Sequence, residues 1–116
     1  MRVNYLGIDY GAVKTGVALA TGPLAEPLTT VKTEKALQSI KLLLGKHNID
    51  SIVVGDCPDF FLDKLSDLAV VHQADETLSS HDARQFLFHT SQKKRRVNEH
   101  AVSAAIILQN WLDSNL

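Results

Sequence analysis

Leu6-Gly7-Ile8-Asp9-Tyr10-Gly11-Ala12-Val13-Lys14-Thr15-Gly16-Val17-Ala18-Leu19-Ala20 decides the fold of this chain. It reads as a strand, a tight glycine turn centred on Gly11, and a second strand, Thr15–Ala20, that returns antiparallel. The first strand is apolar on nearly both faces, which suits a central strand buried on two sides. One carboxylate, Asp9, interrupts the apolar run at its C-terminal end. An acid there is costly to bury unless something cationic holds it. Gly11 and Gly16 let the chain turn sharply and let another group approach the backbone closely. The stretch therefore presents one fixed negative charge at the open end of a central strand. Asp9 is read as a metal-binding carboxylate in preference to a turn residue capping local amides.

Outward from this hairpin, Pro27–Val31 is a third, edge strand, where a leading Pro is tolerated. Thr33 is placed to N-cap a helix with Leu37, Ile40 and Leu44 as its apolar stripe, and Gly45 or Asn48 ends it. Ser51–Gly55 is a short β-branched strand, followed by a turn at Asp56-Cys57-Pro58 and one or two helical turns between Asp59 and Leu68. Leu68–Val71 is another short strand, leading to Asp75-Glu76. Ser79 and Ser80 cap a helix carrying Ala83, Phe86 and Leu87 inward, and Thr90–Arg96 is a polar, basic loop. The last helix runs from about Glu99 to Trp111 or Leu112, with Ala101, Ala104, Ala105, Leu108 and Leu112 on one stripe. Antiparallel strands come first and crossover helices then feed parallel strands. This order predicts an α/β fold: a mixed sheet sandwiched by helices. In such sheets ligands gather beyond the carboxyl ends of the parallel strands.

Composition narrows the class. The 116 residues suit one domain, 1–116, and 45% hydrophobic with 22% charged residues is ordinary for a soluble globular protein. No apolar run is long enough to cross a bilayer and no signal peptide opens the chain, so a cytoplasmic protein is expected, with no membrane partner. The single Cys57 fits a reducing compartment. A net charge of −1 does not announce a nucleic-acid binder, but Lys93-Lys94-Arg95-Arg96 concentrates four of the twelve basic residues in one run. Such a run is a solvated loop or a track for phosphates.

Asp9, Asp56 and the pair Asp75-Glu76 each follow a short apolar strand, and they converge if the first two parallel strands are neighbours. Mg²⁺ and Mn²⁺ prefer hard oxygen ligands, and carboxylates around an open metal position serve phosphodiester hydrolysis. Asp9 leads this set, Glu76 follows, Asp75 is auxiliary or structural, and Asp56 is read as a turn residue. His100 lies one turn before Ala104 on the sheet-facing stripe, where a structural and a ligand role both stand open.

With these residues in place, the chain resembles the YqgF/RuvX-type family of RNase H-fold proteins, Holliday-junction-resolvase-like nucleases implicated in processing the 5′ end of pre-16S rRNA. Leu6–Gly11 with Gly16-Val17-Ala18 is similar to the family's opening motif, whose Asp is the first metal ligand. Val53-Val54-Gly55 resembles the strand before its Gly-Leu-Pro turn, Asp75–Ser80 its Asp-Glu-Arg-Leu-Ser/Thr-Ser motif, and Ser103–Gln109 with Trp111-Leu112 its C-terminal helix. The resemblance covers nearly the whole chain. It implies an RNase H-like mixed five-stranded sheet, three antiparallel strands and then parallel ones, flanked by helices. It implies a metal-dependent endonuclease acting on structured RNA, with Asp9, Glu76 and His100 holding Mg²⁺ or Mn²⁺ and Asp75 completing the catalytic set. Pre-rRNA is the first substrate and branched DNA the second, with ribosome-assembly partners and a monomer or weak homodimer expected. Lys14 and Lys93, Lys94, Arg95 and Arg96 would bind the phosphate backbone in a salt-dependent way.

Three positions depart from the family pattern. Thr77 replaces the Arg after Asp-Glu, Gly55-Asp56-Cys57-Pro58 replaces Gly-Leu-Pro, and His100 stands where the last acid is usually an Asp. These departures sustain a second reading, an RNase H-like module that grips nucleic acid without cutting it. Gly7-Ile8-Asp9-x-Gly11 also resembles the first phosphate motif of sugar kinases and actin-like ATPases, but 116 residues leave no room for their second lobe.

Overall fold

The apolar run near the N-terminus forms β1 (Tyr5–Asp9), the middle strand of a sheet that runs, among the described residues, in the order Glu26–Lys32, Lys14–Ala20, β1, Ser51–Val54 and Val70–Gln73. The computed structural model describes residues 3–74 and 92–116, with side chains from residue 99 onward in the second stretch. The other strands are β2 (Lys14–Ala20), β3 (Glu26–Lys32), β4 (Ser51–Val54) and β5 (Val70–Gln73). Three helices accompany them: α1 (Ala36–Lys46), entered through a 3-10 turn at Thr33–Lys35, α2 (Asp59–Leu68), and α3 (Gln92–Asn115). β1, β2 and β3 are antiparallel to one another in turn, and β4 and β5 run parallel to β1. The expected mixed α/β sheet is thus present, with Asp9 at the carboxyl end of its central strand.

Strand alternation divides the core into two layers. Leu6, Ile8, Val17, Ile52 and Val54 face α1 and α2, meeting Ile40, Phe61 and Leu65. Tyr5, Ala18, Ala20 and Val53 face α3, meeting Ala104, Ala105, Leu108 and Leu112. Fully burying side chains such as Leu6, Ile8 and Phe61 contributes roughly 1.5–3 kcal/mol each, which favours placing the most apolar strand in the middle. Gly7, Gly16, Ala18 and Ala20 keep much of the α3 face of β1 and β2 low, so this helix lies close. A Cβ on Gly7 would stand 2.8 Å from Leu108 Cβ and 2.9 Å from the Ala104 carbonyl oxygen. Gln109 ties the β2–β3 connection to α3, accepting from the Ala25 amide at 2.8 Å and donating to the Pro23 carbonyl at 2.9 Å.

Several boundaries depart from expectation. Thr33 does not cap α1. Its backbone N–H donates to the Val13 carbonyl and its hydroxyl to the Gly11 carbonyl, and α1 starts at Ala36 without a side-chain cap. α1 ends at Lys46, with Asn48 at φ 53°, the left-handed conformation that Asn tolerates after a helix. Residues 59–68 form a full ten-residue helix, because Phe61 and Leu65 at i and i+4 both bury against the sheet. Leu68 closes that helix, so β5 begins only at Val70. α3 starts at Gln92, so Lys93, Lys94, Arg95 and Arg96 lie in a helix and not in a loop. Lys, Arg and Gln are good helix formers, and no Gly or Pro separates them from Ala101. The helix expected after Ser79 and Ser80 lies outside the described residues. No described helix is long and apolar enough to cross a membrane.

Candidate active site

Asp9 closes β1, and alternation puts it on the same sheet face as Tyr5 and Gly7, toward α3. Its neighbour across the β1–β2 ladder is Gly16. A side chain at Gly16 would run into the backbone of His100 and Ala101, so its absence lets α3 descend onto β2 beside Asp9. The His100 ring then sits over the β1–β2 turn, with Cε1 3.9 Å from where a Gly11 Cβ would be. Asp9 is partly buried, and that burial raises its carboxyl above the usual 3.8, while the nearby His100 charge acts in the opposite direction. A half-desolvated carboxylate with one imidazole beside it is an anion short of positive charge.

The parallel strands bring more chain to this edge. Gly55 donates to the Ile8 carbonyl at 3.2 Å and Ala74 to the Val54 carbonyl at 2.8 Å. Register thus sets Gly55 and Ala74 level with Asp9 on adjacent strands. Gly55 is buried and Asp56 is exposed in the bend that follows. Asp75 and Glu76, the acids next in sequence after Ala74, lie outside the described residues, as does Thr77. Lys14 is exposed at the start of β2, at the same end of the sheet. Of the basic run, Lys93 to Arg96, the backbone belongs to α3 and the side chains are not described. Among the described residues no three His, Cys, Asp or Glu side chains cluster as metal ligands, so Asp9 and His100 stand as a pair.

A feature that sequence reading missed holds the turn after Asp9. Thr33 Oγ1 donates to the Gly11 carbonyl at 2.6 Å, and the buried Thr15 hydroxyl lies 2.9 Å from Thr33 Oγ1. Because the Thr33 proton is committed to Gly11, Thr15 is the donor in that second bond. The only sequence signal was a Thr inside an otherwise apolar strand. Thr33→Val is expected to cost about 1–3 kcal/mol by orphaning the Thr15 hydroxyl, and Thr15→Val on top of it is expected to cost less than the two losses added. Thermal unfolding of both single variants and the double variant measures this.

An antiparallel three-strand meander extended by two parallel strands, with a carboxylate at the exit of the central strand, defines the RNase H-like class of α/β proteins. The family model described as "RuvX: Holliday junction resolvase" matches residues 3–60 and 59–114, and the chain belongs to that family. A relative from Rickettsia canadensis, named "Putative pre-16S rRNA nuclease", is 31% identical over 97% of this chain and 88% of its own length. One of the same name from Bacillus cereus is 33% identical over 98% and 99%. In fold, the chain is similar to the fowlpox virus resolvase solved with substrate Holliday junction DNA, at a TM-score of 0.63 and 11% identity, covering 98% of this chain and 99% of that one.

Proposed function

We propose that this chain is a metal-dependent endonuclease that hydrolyses phosphodiester bonds in structured RNA, acting in 5′-end processing of pre-16S rRNA in the cytoplasm. One observation carries the reading: Asp9, at the carboxyl end of the central strand, is partly desolvated beside His100 on the face that α3 covers. Full-length relatives named for pre-16S rRNA support the substrate class.

The donor set fits a divalent cation. Asp9 offers a hard oxygen whose burial leaves it under-compensated, and His100 offers a ring nitrogen. Asp9, His100 and Glu76 would hold the ion, with Asp75 assisting. When bound, the ion supplies charge neutralisation at the phosphodiester and lowers the pKa of water. An imidazole suits Mn²⁺ better than Mg²⁺, so Mn²⁺ is expected to support activity at lower concentration. The chain's own residues orient the substrate. Lys14 and the basic run Lys93, Lys94, Arg95 and Arg96 of α3 hold phosphates, and the Thr15–Thr33–Gly11 bonds fix the turn that follows Asp9.

The test is a divalent-metal titration of cleavage on an RNA carrying the 16S 5′ leader, with a four-way DNA junction alongside. Metal-dependent cleavage confined to the RNA is expected. Preferential cutting of the junction would move the substrate to branched DNA. Binding with no cleavage at any metal concentration would favour the non-cutting module, which the pairing of Asp9 with an imidazole already recommends as the second reading.

A further inference from the structure

The β2–β3 ladder sets Lys14 directly opposite Lys32. Cross-strand partners project to the same side of the sheet, and alternation from Gly16 puts both lysines on the α3 face, the face of Asp9 and His100. Both are exposed, and neither makes an ion pair among the described residues. Like charges placed opposite each other on a ladder destabilise it, so folding alone gives no reason for the pair. Its position gives one. Lys14 lies one strand over from β1 and two residues beyond the level of Asp9, that is, roughly 5 Å across and 7 Å along the sheet.

Charge is of opposite sign in the stretch that builds β2, β3 and α1 and the stretch that builds β4, α2 and β5. Residues 11–47 carry five lysines against Glu26 and Glu34, while residues 50–74 carry five aspartates against Lys64 alone. On α2, Asp59, Asp63 and Asp67 recur every fourth residue and are all exposed. A polyanion arriving at Asp9 is attracted on the β2–β3 side and repelled on the α2 side.

We infer that Lys14 and Lys32 together form a phosphate clamp, and that the nucleic-acid strand reaching Asp9 passes the open end of the β2–β3 ribbon, beyond the point where α3 rests on Gly16, and away from α2. This rests on the nuclease reading and adds Lys32 and a direction to it. The clamp has no base-reading group, so it holds backbone without selecting sequence.

Binding of a fluorescein-labelled RNA duplex with a single-stranded 5′ tail, followed by anisotropy across a salt series without divalent metal, tests it. Lys32→Gln is expected to weaken binding several-fold and to lower the slope of log K against log salt by about 0.7, the share of one phosphate contact on a single strand. Lys32→Arg is expected to keep the slope, and Lys46→Gln, at the far end of α1, to leave binding unchanged. Removing one of two opposed lysines is also expected to leave the melting temperature equal or higher, which separates lost binding from lost folding. A Lys32→Gln slope equal to that of the unaltered chain overturns the clamp while leaving the nuclease reading standing. Loss of binding in Lys32→Arg overturns it too, since charge is then not the cause. Failure of the unaltered chain to bind the RNA at all overturns the nuclease reading and the clamp with it.

Discussion

Asp9→Asn is expected to raise the melting temperature of the metal-free chain while reducing metal-dependent cleavage at least about 100-fold. The two effects share one cause. Burial makes the Asp9 charge unfavourable in the folded state, so the folded chain binds the Asp9 proton more tightly than the unfolded chain does. Wherever the folded state holds more protons, stability falls as pH rises. The penalty is therefore absent well below 3.8, grows as pH rises from there through the raised folded value, and stays constant above it. Asn keeps the shape and removes the charge. The melting-temperature difference between variant and parent is expected to be near zero at the acid end and to level off at neutral pH. Solvent still reaches part of Asp9, which screens the effect, so the gain is expected to be small. Adding Mn²⁺ should reverse the order, because a ligand that binds the folded parent stabilises it and a variant without the carboxylate loses that gain. Even groups that only support a metal ligand cost 10–100-fold when removed, and hence the larger loss for the ligand itself. A variant that melts below its parent at neutral pH, or that cuts as well as its parent, would sink the assignment of Asp9.

The same tension explains what was legible in the sequence. A single acid ending an apolar strand violates the pattern around it, and such violations mark function because packing alone would remove them. Asp9 could be read for that reason. The sheet could be read because β1, β2 and β4 combine apolar runs with glycine or proline punctuation, which fixes period and direction. Thr33 misled because a capping hydroxyl must accept from the first N–H groups of its helix, whereas Thr33 lies in the 3-10 turn ahead of α1, and its oxygen accepts from Thr15 while its proton goes to the Gly11 carbonyl of a turn 22 residues earlier. The start of α3 misled because polarity was taken to mean loop, whereas Gln, Lys and Arg are good helix formers and can continue a helix past its apolar stripe. The Lys14–Lys32 opposition needed the β2–β3 register, which includes an irregularity between Val17 and Ala18 that no pattern in the sequence announces.

Gly16→Ala is expected to be the more damaging of two single-methyl changes beneath α3. Gly16 does not adopt a left-handed backbone, so alanine suits its conformation and even reduces the freedom of the unfolded chain. Any loss must come from contact. The added carbon meets the carbonyl of His100 and the amide nitrogen of Ala101, which are helix backbone and cannot rotate aside as a side-chain tip can. Relief requires α3 to lift from β2, and that same helix buries Ala104, Leu108 and Leu112 against β1 and β4. Overpacking in a dense core typically costs 1–3 kcal/mol, and a backbone collision belongs at or above the upper end, so a melting-temperature drop of roughly 10 °C or more is expected. Gly7→Ala provides the comparison. Its nearest neighbour, Leu108 Cβ at 2.8 Å, belongs to a side chain, but the Ala104 carbonyl at 2.9 Å belongs to the same helix, so a smaller loss is expected. Gly16→Ala should also separate His100 from Asp9 and open the carboxylate to solvent, breaking up the pair that would hold a cation. Metal-induced stabilisation is therefore expected to vanish along with part of the fold. Equal melting temperatures for Gly16→Ala and its parent would mean that α3 does not rest on β2 at this point, and the Asp9–His100 pair would go with it.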